Sequence, residues 1–358
     1  MNDQSESQHN DEAARGPDTP TPARRLLRTG LQLLGFCVGL GMLVWCVRIA
    51  LSENNRDAIA SLRDADTLPL IGLAAVVFFG VTISGVLFWL TLYRVRRLHP
   101  VDVVSTSYVA ILLSYLPFKL SVLFRLAVHR QRDGVPLTLI APWFGAVGLV
   151  LFIPVLPVVG FSILRPQVDI IWLAINAAAV LMLAWVTSAL SSKIGGGRGL
   201  GLARRIADRQ PIGLVRRAAH SDAFARFDES LTMLSDFKHV LLLTLVRVAD
   251  MVAFALRFVI VARIIGEPMG FDDALIGSTV YFFIGVFFPF GALGAREAGT
   301  AGFLAQFSSI DFDQLAAVAV VVTGAELIII MLCAAFGVAW LRPDRLLRAG
   351  RSAQGDAP

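Results

Sequence analysis

The sequence predicts an all-α integral membrane protein with six complete transmembrane helices and two oppositely oriented re-entrant helical hairpins. Three observations lead to this fold class. The 358 residues are 56% hydrophobic and only 16% charged, with a mean hydropathy of +0.69, whereas a soluble domain has about 25% charged residues. Long apolar stretches recur along the chain. Two further hydrophobic stretches are interrupted by proline, glycine and charged residues.

Six stretches are apolar over the roughly 20 residues that a helix needs to cross a bilayer. The first of them follows residues 1–22, whose polar composition predicts a disordered tail. This stretch is too long for the apolar region of a cleavable signal peptide, so we expect it to remain as an anchor. The predicted spans are Leu31–Leu51, Leu68–Tyr93, Leu137–Phe161, Ile170–Leu190, Val240–Ile265 and Leu315–Leu341.

The two interrupted stretches predict hairpins that turn inside the membrane. Val101–Arg132 contains Leu116-Pro117-Phe118, and Ala274–Phe307 contains Phe288-Pro289-Phe290 followed by two glycines. Proline removes a backbone donor from a helix, and irregular backbone at membrane depth persists only inside protein or beside a water-filled cavity. Paired interruptions in the two halves of a membrane protein therefore predict a substrate path between them.

The charges of the loops orient these segments. Basic residues flank the first interrupted stretch, and acidic residues flank the second. By the positive-inside rule, the hairpins enter from opposite sides and both termini are cytoplasmic. An inverted repeat is therefore predicted. The expected organisation is a cytoplasmic tail (1–22), a first membrane half (23–190) with hairpin 101–132, a basic cytoplasmic loop (191–237), a second membrane half (238–341) with hairpin 274–307, and a cytoplasmic tail (342–358).

The segment Pro289–Glu297 has the pattern Pro-x-Gly-x-x-Gly-x-Arg-Glu. This pattern resembles the signature of the lysylphosphatidylglycerol synthase transmembrane family, also called flippase-like or UPF0104 proteins. The first hairpin resembles the other motif of that family, although Ser121 stands where glycine is usual and Val122 where an acidic residue is usual. The resemblance covers roughly Leu31–Leu341.

The resemblance implies a multi-pass protein of the bacterial inner membrane that moves, or helps to move, a polar lipid between leaflets. Relatives are linked to aminoacylated phosphatidylglycerol, isoprenoid-linked glycans and hopanoid pathways. Some relatives carry a soluble aminoacyl-transferase domain, and we expect no such domain in a chain that ends at Pro358. We therefore expect a transporter rather than an enzyme, with no catalytic residue set, no metal and no cofactor.

Arg296 and Glu297 are the first candidate site residues. A charge at mid-membrane costs about 2.5–3.5 kcal/mol on insertion scales, so it usually faces a cavity or a partner. We expect Arg296 to hold a lipid phosphate, and Glu297 to pair with a basic residue or to take up a proton. The alternative is a structural ion pair that locks the hairpins together. Gly291 and Gly294 are expected to shape the hairpin tip, where free backbone amides could meet a phosphate.

Lys119 and Arg125 are the basic candidates of the first hairpin. Arg125 matches the arginine of the family motif, which implies that it binds a headgroup from the cytoplasmic leaflet. The alternative for both side chains is snorkelling to the membrane surface.

Three charged residues share one face of a predicted span, because Arg247, Asp250 and Arg257 are spaced by three and seven positions. An Arg247–Asp250 pair would leave Arg257 for a ligand or for Glu297 or Glu326. Structural salt bridges are the alternative for each of them. Since the sequence has no nucleotide-binding signature, Glu297, Glu326 and Asp250 are the candidates for proton coupling.

The preferred interpretation is a translocator of an anionic or phosphate-bearing lipid. A second is an integral membrane transferase acting on lipid-linked substrates, which would require a catalytic acid and a divalent metal. A third is a scaffold that holds a membrane biosynthetic enzyme through loop 191–237. The expected partners are membrane lipids, such an enzyme or a second copy of the chain, and no nucleic acid is expected.

Overall fold

The computed structural model describes residues 22–52, 60–116, 119–165, 168–195, 198–208, 221, 230–266, 269–287, 293–306, 308 and 310–342. Parts of the predicted organisation lie outside these residues. They are most of the tail 1–22, both proline-containing hairpin tips (117–118 and 288–292, including Gly291), residues 196–197, 209–220 and 222–229 of loop 191–237, and nearly all of the tail 342–358.

The described residues form α-helices and no strands. In chain order the helices are α1 (Pro22–Ala50), α2 (Thr67–Tyr93), α3 (Pro100–Ser114), α4 (Leu120–Gln131), α5 (Leu137–Leu164), α6 (Ile170–Ile194), α7 (Arg198–Asp208), α8 (Phe237–Ile264), α9 (Phe271–Phe287), α10 (Ala295–Leu304) and α11 (Phe312–Leu341).

Four of these helices, α2, α5, α6 and α11, are long and apolar enough to cross a membrane. The protein is therefore an all-α membrane protein, as the sequence predicts. Helix α8 is also long, with 28 residues, but it contains the charged residues Arg247, Asp250 and Arg257. All three side chains are buried inside the bundle rather than facing outward.

Helices α3 and α4 form the first hairpin. They have 15 and 12 residues, which correspond to about 22 and 18 Å at 1.5 Å per residue. Arg132 Nη2 donates to Asp102 Oδ1 at 2.7 Å, which joins the end of α4 to the start of α3. Arg96 Nη2 donates to the carbonyl oxygen of Asp133 at 2.7 Å, and Trp340 Nε1 donates to Asp102 Oδ1 at 2.8 Å. Both ends of this hairpin therefore lie at the same end of the bundle as the last residues of α2 and α11. We call it the basic end.

Helices α9 and α10 form the second hairpin, which opens at the other end of the bundle. Gly277, near the start of α9, lies beside Leu304 at the end of α10. Helix α9 follows the end of α8, where the Ile264 carbonyl accepts a hydrogen bond from Ser61 Oγ at 2.8 Å. Helix α8 itself begins at the basic end, because its N-cap Asp236 is paired with Arg94. The two hairpins thus have opposite orientations in the bundle.

The long helices enclose both hairpins. Helix α3 packs between α2 and α11, and α9 packs between α8 and α10, while α8 also packs against α2, α5 and α6. Buried residues such as Trp143, Phe258, Tyr281 and Val322 fill the interior. This arrangement brings the end of α3 and the starts of α4 and α10 to the middle of the bundle.

Gly337 allows α11 to approach α3 closely. A Cβ atom at this position would lie 2.7 Å from the carbonyl oxygen of Ser105 and 3.0 Å from Val109 Cγ2. Overpacking of this kind costs about 1–3 kcal/mol, so we expect Gly337→Ala to lower the apparent Tm in detergent. Gly324→Ala is the matched control, because a Cβ there meets nothing within 4 Å. An equal effect of the two substitutions would contradict this account of the α3–α11 contact.

Candidate functional site

A cavity of about 420 Å³ lies in the middle of the bundle, where the inner ends of the hairpin helices lie close together. Its walls come from α2, α5, α8 and α11 together with the inner ends of α3, α4, α9 and α10. Six charged residues that the sequence singled out line this one cavity. They are Lys119, Arg125, Asp250, Arg257, Arg296 and Glu326.

Glu326 of α11 links several elements at the cavity wall. Its Oε1 accepts a hydrogen bond from Arg257 Nη1 at 2.9 Å, and its Oε2 lies 3.7 Å from Arg296 Nη2. The hydroxyl of Tyr281 donates to Oε2 at 3.3 Å. The carboxylate therefore holds an arginine of α8, an arginine of α10 and a tyrosine of α9 around one point.

Arg257 occupies a position that depends on a small residue in a neighbouring helix. Its guanidinium lies 4.0 Å from the ring centroid of Phe254, which is a cation–π distance. A Cβ atom on Gly80 would lie only 2.0 Å from Arg257 Nη2. The glycine in α2 thus provides the space in which Arg257 reaches Glu326, one of the two acids expected as its partner.

Asp250 is held by an arginine from its own helix. The expected Arg247–Asp250 pair is present, and both side chains are buried. Arg247 also lies over the ring of Phe282, 3.7 Å from the centroid. Asp250 lines the cavity, whereas Arg247 does not. The charge of this carboxylate is therefore balanced by an arginine that lies outside the cavity.

Arg125 lies inside the bundle, because only 6% of its surface is exposed. Its Nη1 donates to Ser107 Oγ at 2.8 Å, and its guanidinium lies 3.9 Å from the ring centroid of Phe88. Of the ion pairs within the described part of the chain, none involves Arg125. Lys119, which precedes α4 in a left-handed conformation, is exposed and lines the same cavity.

Arg296 enters the cavity from the start of α10. Its guanidinium lies between two tyrosine rings, 4.8 Å from the centroid of Tyr115 and 4.3 Å from that of Tyr281. A Cβ atom on Gly285 would lie 2.6 Å from Arg296 Cδ, so a glycine again makes room for an arginine. Among the described residues, Arg296 Nε and Nη2 have no hydrogen-bond partner.

Glu297 is fully buried and is not among the residues that line the cavity. Its Oε2 accepts a hydrogen bond from the backbone N–H of Gly294 at 2.6 Å, and its Oε1 accepts one from Thr323 Oγ1 at 2.5 Å. Gly294 has a φ of 81°, which favours glycine. Both residues therefore fix the start of α10, and a proton-carrying role for Glu297 stays a prediction.

A chain of close polar contacts joins the two buried acids. Glu326 Oε2 lies 3.3 Å from Tyr281 Oη, which lies 2.7 Å from Thr323 Oγ1, which in turn donates to Glu297 Oε1 at 2.5 Å. This path connects the carboxylate at the cavity wall to the carboxylate that caps α10.

Residues 26–334 match the family model of the lysylphosphatidylglycerol synthase TM region. The chain belongs to this family. The family identified from the sequence motifs is thereby confirmed, and the match includes both hairpins and every charged residue of the cavity. Comparison with curated proteins and with solved structures gives no match.

In this member of the lysylphosphatidylglycerol synthase TM family, sequence reasoning missed the uncharged residues that place the arginines. Tyr115 and Tyr281 flank Arg296, Ser107 binds Arg125, and Gly80 admits Arg257. These residues lie in ordinary apolar stretches, so their types alone give no signal. Tyr115 gave the strongest signal among them, because it immediately precedes the Leu116-Pro117-Phe118 interruption in the sequence.

Proposed function

We propose that this protein translocates a polar, anionic or phosphate-bearing lipid across the bacterial inner membrane, the lipid being a phospholipid, an isoprenoid-linked glycan or a hopanoid-type lipid. One observation carries the proposal. The cavity between the hairpins is lined by four basic and two acidic side chains, an excess of two positive charges among its described residues. Arginine is well suited to phosphate because its planar fork of donors matches the phosphate oxygens.

In the proposed membrane arrangement there are six complete spans, and the α3–α4 and α9–α10 hairpins are re-entrant. Supporting this arrangement, α3, α4 and α10 are shorter than the roughly 20 residues that cross a bilayer. The two hairpins open at opposite ends of the bundle, as an inverted repeat requires. The basic end is cytoplasmic by the positive-inside rule, which places both termini in the cytoplasm.

The headgroup would move through the cavity while the acyl tails stay in the lipid. Arg125 belongs to the hairpin that opens at the basic end, and Arg296 belongs to the hairpin that opens at the other end. Each hairpin therefore contributes one arginine to the same cavity. Helices α4 and α10 also begin there, and the positive ends of helix dipoles favour an anion. A phosphate held between the two arginines would become accessible from one leaflet when the α3–α4 hairpin moves away from the cavity. It would become accessible from the other leaflet when the α9–α10 hairpin does so.

The test compares Arg125→Gln and Arg296→Gln with wild type in proteoliposomes that contain a fluorescent phospholipid. The surface substitution Arg165→Gln is the control, because Arg165 is exposed, pairs with Asp169 and does not line the cavity. A hydrogen bond to a charged group contributes about 1.5–3 kcal/mol, so we expect transbilayer movement to slow by roughly 10- to 100-fold in each cavity variant.

Lipids retained in native nanodiscs give a second readout of the same variants. We expect one class of phosphate-bearing lipid to be enriched in wild type and lost in Arg296→Gln. Cavity variants that keep the wild-type Tm, transport rate and lipid profile would contradict the proposed function.

A further inference from the structure

We propose that the middle of α5 forms a binding site for one acyl chain of the transported lipid, beside an arginine that holds the lipid phosphate. The inference rests on the proposed function and deepens it, because it says where a tail lies while the headgroup is in the cavity. The site consists of Phe144, Gly148 and Leu151, which all line the cavity. We call these three residues the α5 stripe.

The α5 stripe lies on one face of its helix and is apolar. Its members are spaced by four and three positions, which places them on the same side of an α-helix. Gly148 lies near the middle of α5 (Leu137–Leu164), one of the helices long and apolar enough to cross a membrane. A Cβ atom on Gly148 would meet nothing within 4 Å among the described residues. The glycine therefore leaves open space between two apolar side chains at membrane depth.

The cavity is open at the inner ends of the hairpin helices. Its charged lining residues from α8, α10 and α11 are buried, whereas exposed lining residues lie around the end of α3, the start of α4 and the end of α9. These exposed residues are Ser114, Leu116, Lys119, Val122 and Val286. Helix α5 packs against both α4 and α9, so the α5 stripe lies beside this opening. The apolar side chains of the opening allow a hydrocarbon chain to leave the cavity without entering water.

Phe88 of α2 connects the α5 stripe to a phosphate-binding group. The guanidinium of Arg125 lies 3.9 Å from the centroid of the Phe88 ring. The same ring packs edge-on against Phe144, with 5.8 Å between the two centroids. A phosphate held by Arg125 is therefore separated from the stripe by one aromatic ring. This sequence of charge and apolar surface matches a lipid, in which a short glycerol joins the phosphate to the chains.

The volume of the cavity limits what can enter it. Pockets for small ligands measure about 300–1,000 Å³, and the 420 Å³ of this cavity lies in the lower part of that range. Such a volume accommodates a headgroup and the first part of one chain, but not a whole lipid with two chains. The remaining hydrocarbon therefore stays outside the opening, and the space at Gly148 is left for the chain that follows the headgroup.

Filling the space at Gly148 tests the site. Gly148→Leu places a side chain in the α5 stripe, and Gly160→Leu is the matched control. Gly160 is exposed on the same helix, a Cβ there also meets nothing within 4 Å, and it does not line the cavity. We expect retention of phosphatidylglycerol in nanodiscs to fall about 10-fold in Gly148→Leu, the effect of overpacking an occupied apolar space. Gly160→Leu should retain it as wild type does, and the smaller Gly148→Ala should lie between.

Glycerol phosphate, which has no acyl chain, distinguishes the chain site from the headgroup site. Its binding to the same nanodiscs is measured by phosphorus NMR. We expect Gly148→Leu to bind glycerol phosphate as tightly as wild type does, because only the chain meets the new side chain. Arg125→Gln should weaken the binding of both glycerol phosphate and phosphatidylglycerol, because both contain the phosphate.

The outcomes separate this inference from the proposed function. Equal retention of phosphatidylglycerol by Gly148→Leu and Gly160→Leu would overturn the acyl-chain site. Equal losses of glycerol phosphate and phosphatidylglycerol in Gly148→Leu would also overturn it, because the leucine would then occupy headgroup space. If the predicted pattern is found but wild type does not move the lipid between leaflets, the acyl-chain site stands and translocation is refuted.

Discussion

Glu326→Ala is expected to destabilise the protein more than any other single substitution in the cavity. The carboxylate accepts hydrogen bonds from Arg257 and Tyr281 and lies within ion-pair distance of Arg296. Its removal leaves buried arginines without a counter-charge, and breaking a buried pair from one side costs about 3–5 kcal/mol. We expect a large fall in the apparent Tm in detergent, together with loss of lipid retention.

The double substitution distinguishes this electrostatic cost from a simple loss of packing. If the isolated charge is the cause, Glu326→Ala/Arg257→Ala should be less destabilised than the sum of the two single variants, because no unpaired arginine remains in α8. Additive effects would indicate that the two side chains contribute independently. Glu326→Gln, which keeps the size and one acceptor oxygen, should lie between wild type and Glu326→Ala.

The sequence was sufficient to find the family, the helical membrane fold and the six charged residues that line the cavity. Charged residues in apolar stretches stand out because burying them is expensive. Spacing alone predicted the Arg247–Asp250 pair, since residues three apart are neighbours on a helix. Six of the sequence-selected charges line one cavity, although their roles in transport stay predictions.

The contacts made by Glu297 show what spacing could not reveal. Its position beside Arg296 suggested that both charges enter the same site, but successive helical residues point in different directions. Arg296 enters the cavity, while Glu297 points toward Gly294 and Thr323. The partner Thr323 lies 26 residues away in α11, and only the packing of α10 on α11 brings the two together.

Gly80 and Tyr281 were missed for a related reason. A glycine in an apolar helix and a tyrosine in an apolar stretch are both common as packing residues. Their roles depend on Arg257 and Arg296, which approach them from helices distant in sequence. Such roles follow from the tertiary arrangement and leave no local pattern in the chain.

Tyr281→Phe is expected to abolish any dependence of lipid movement on a pH gradient. Proton coupling through Glu326 and Glu297 stays a prediction of the sequence, and Tyr281 together with Thr323 forms the path of close contacts between these two acids. Phenylalanine keeps the ring that lies 4.3 Å from Arg296 and removes only the hydroxyl. We therefore expect the variant to retain lipid and to move it at the same rate with or without the gradient.

Movement of a fluorescent phospholipid in proteoliposomes, with and without an imposed pH gradient, measures this effect. Tyr108→Phe is the matched control, because Tyr108 has a hydroxyl bonded to Thr82 and does not line the cavity. Stimulation by the gradient in wild type and Tyr108→Phe, but not in Tyr281→Phe, would support a proton path between the two acids. If Tyr281→Phe keeps the full stimulation, these contacts serve packing alone, and protons reach the cavity without passing between Glu326 and Glu297.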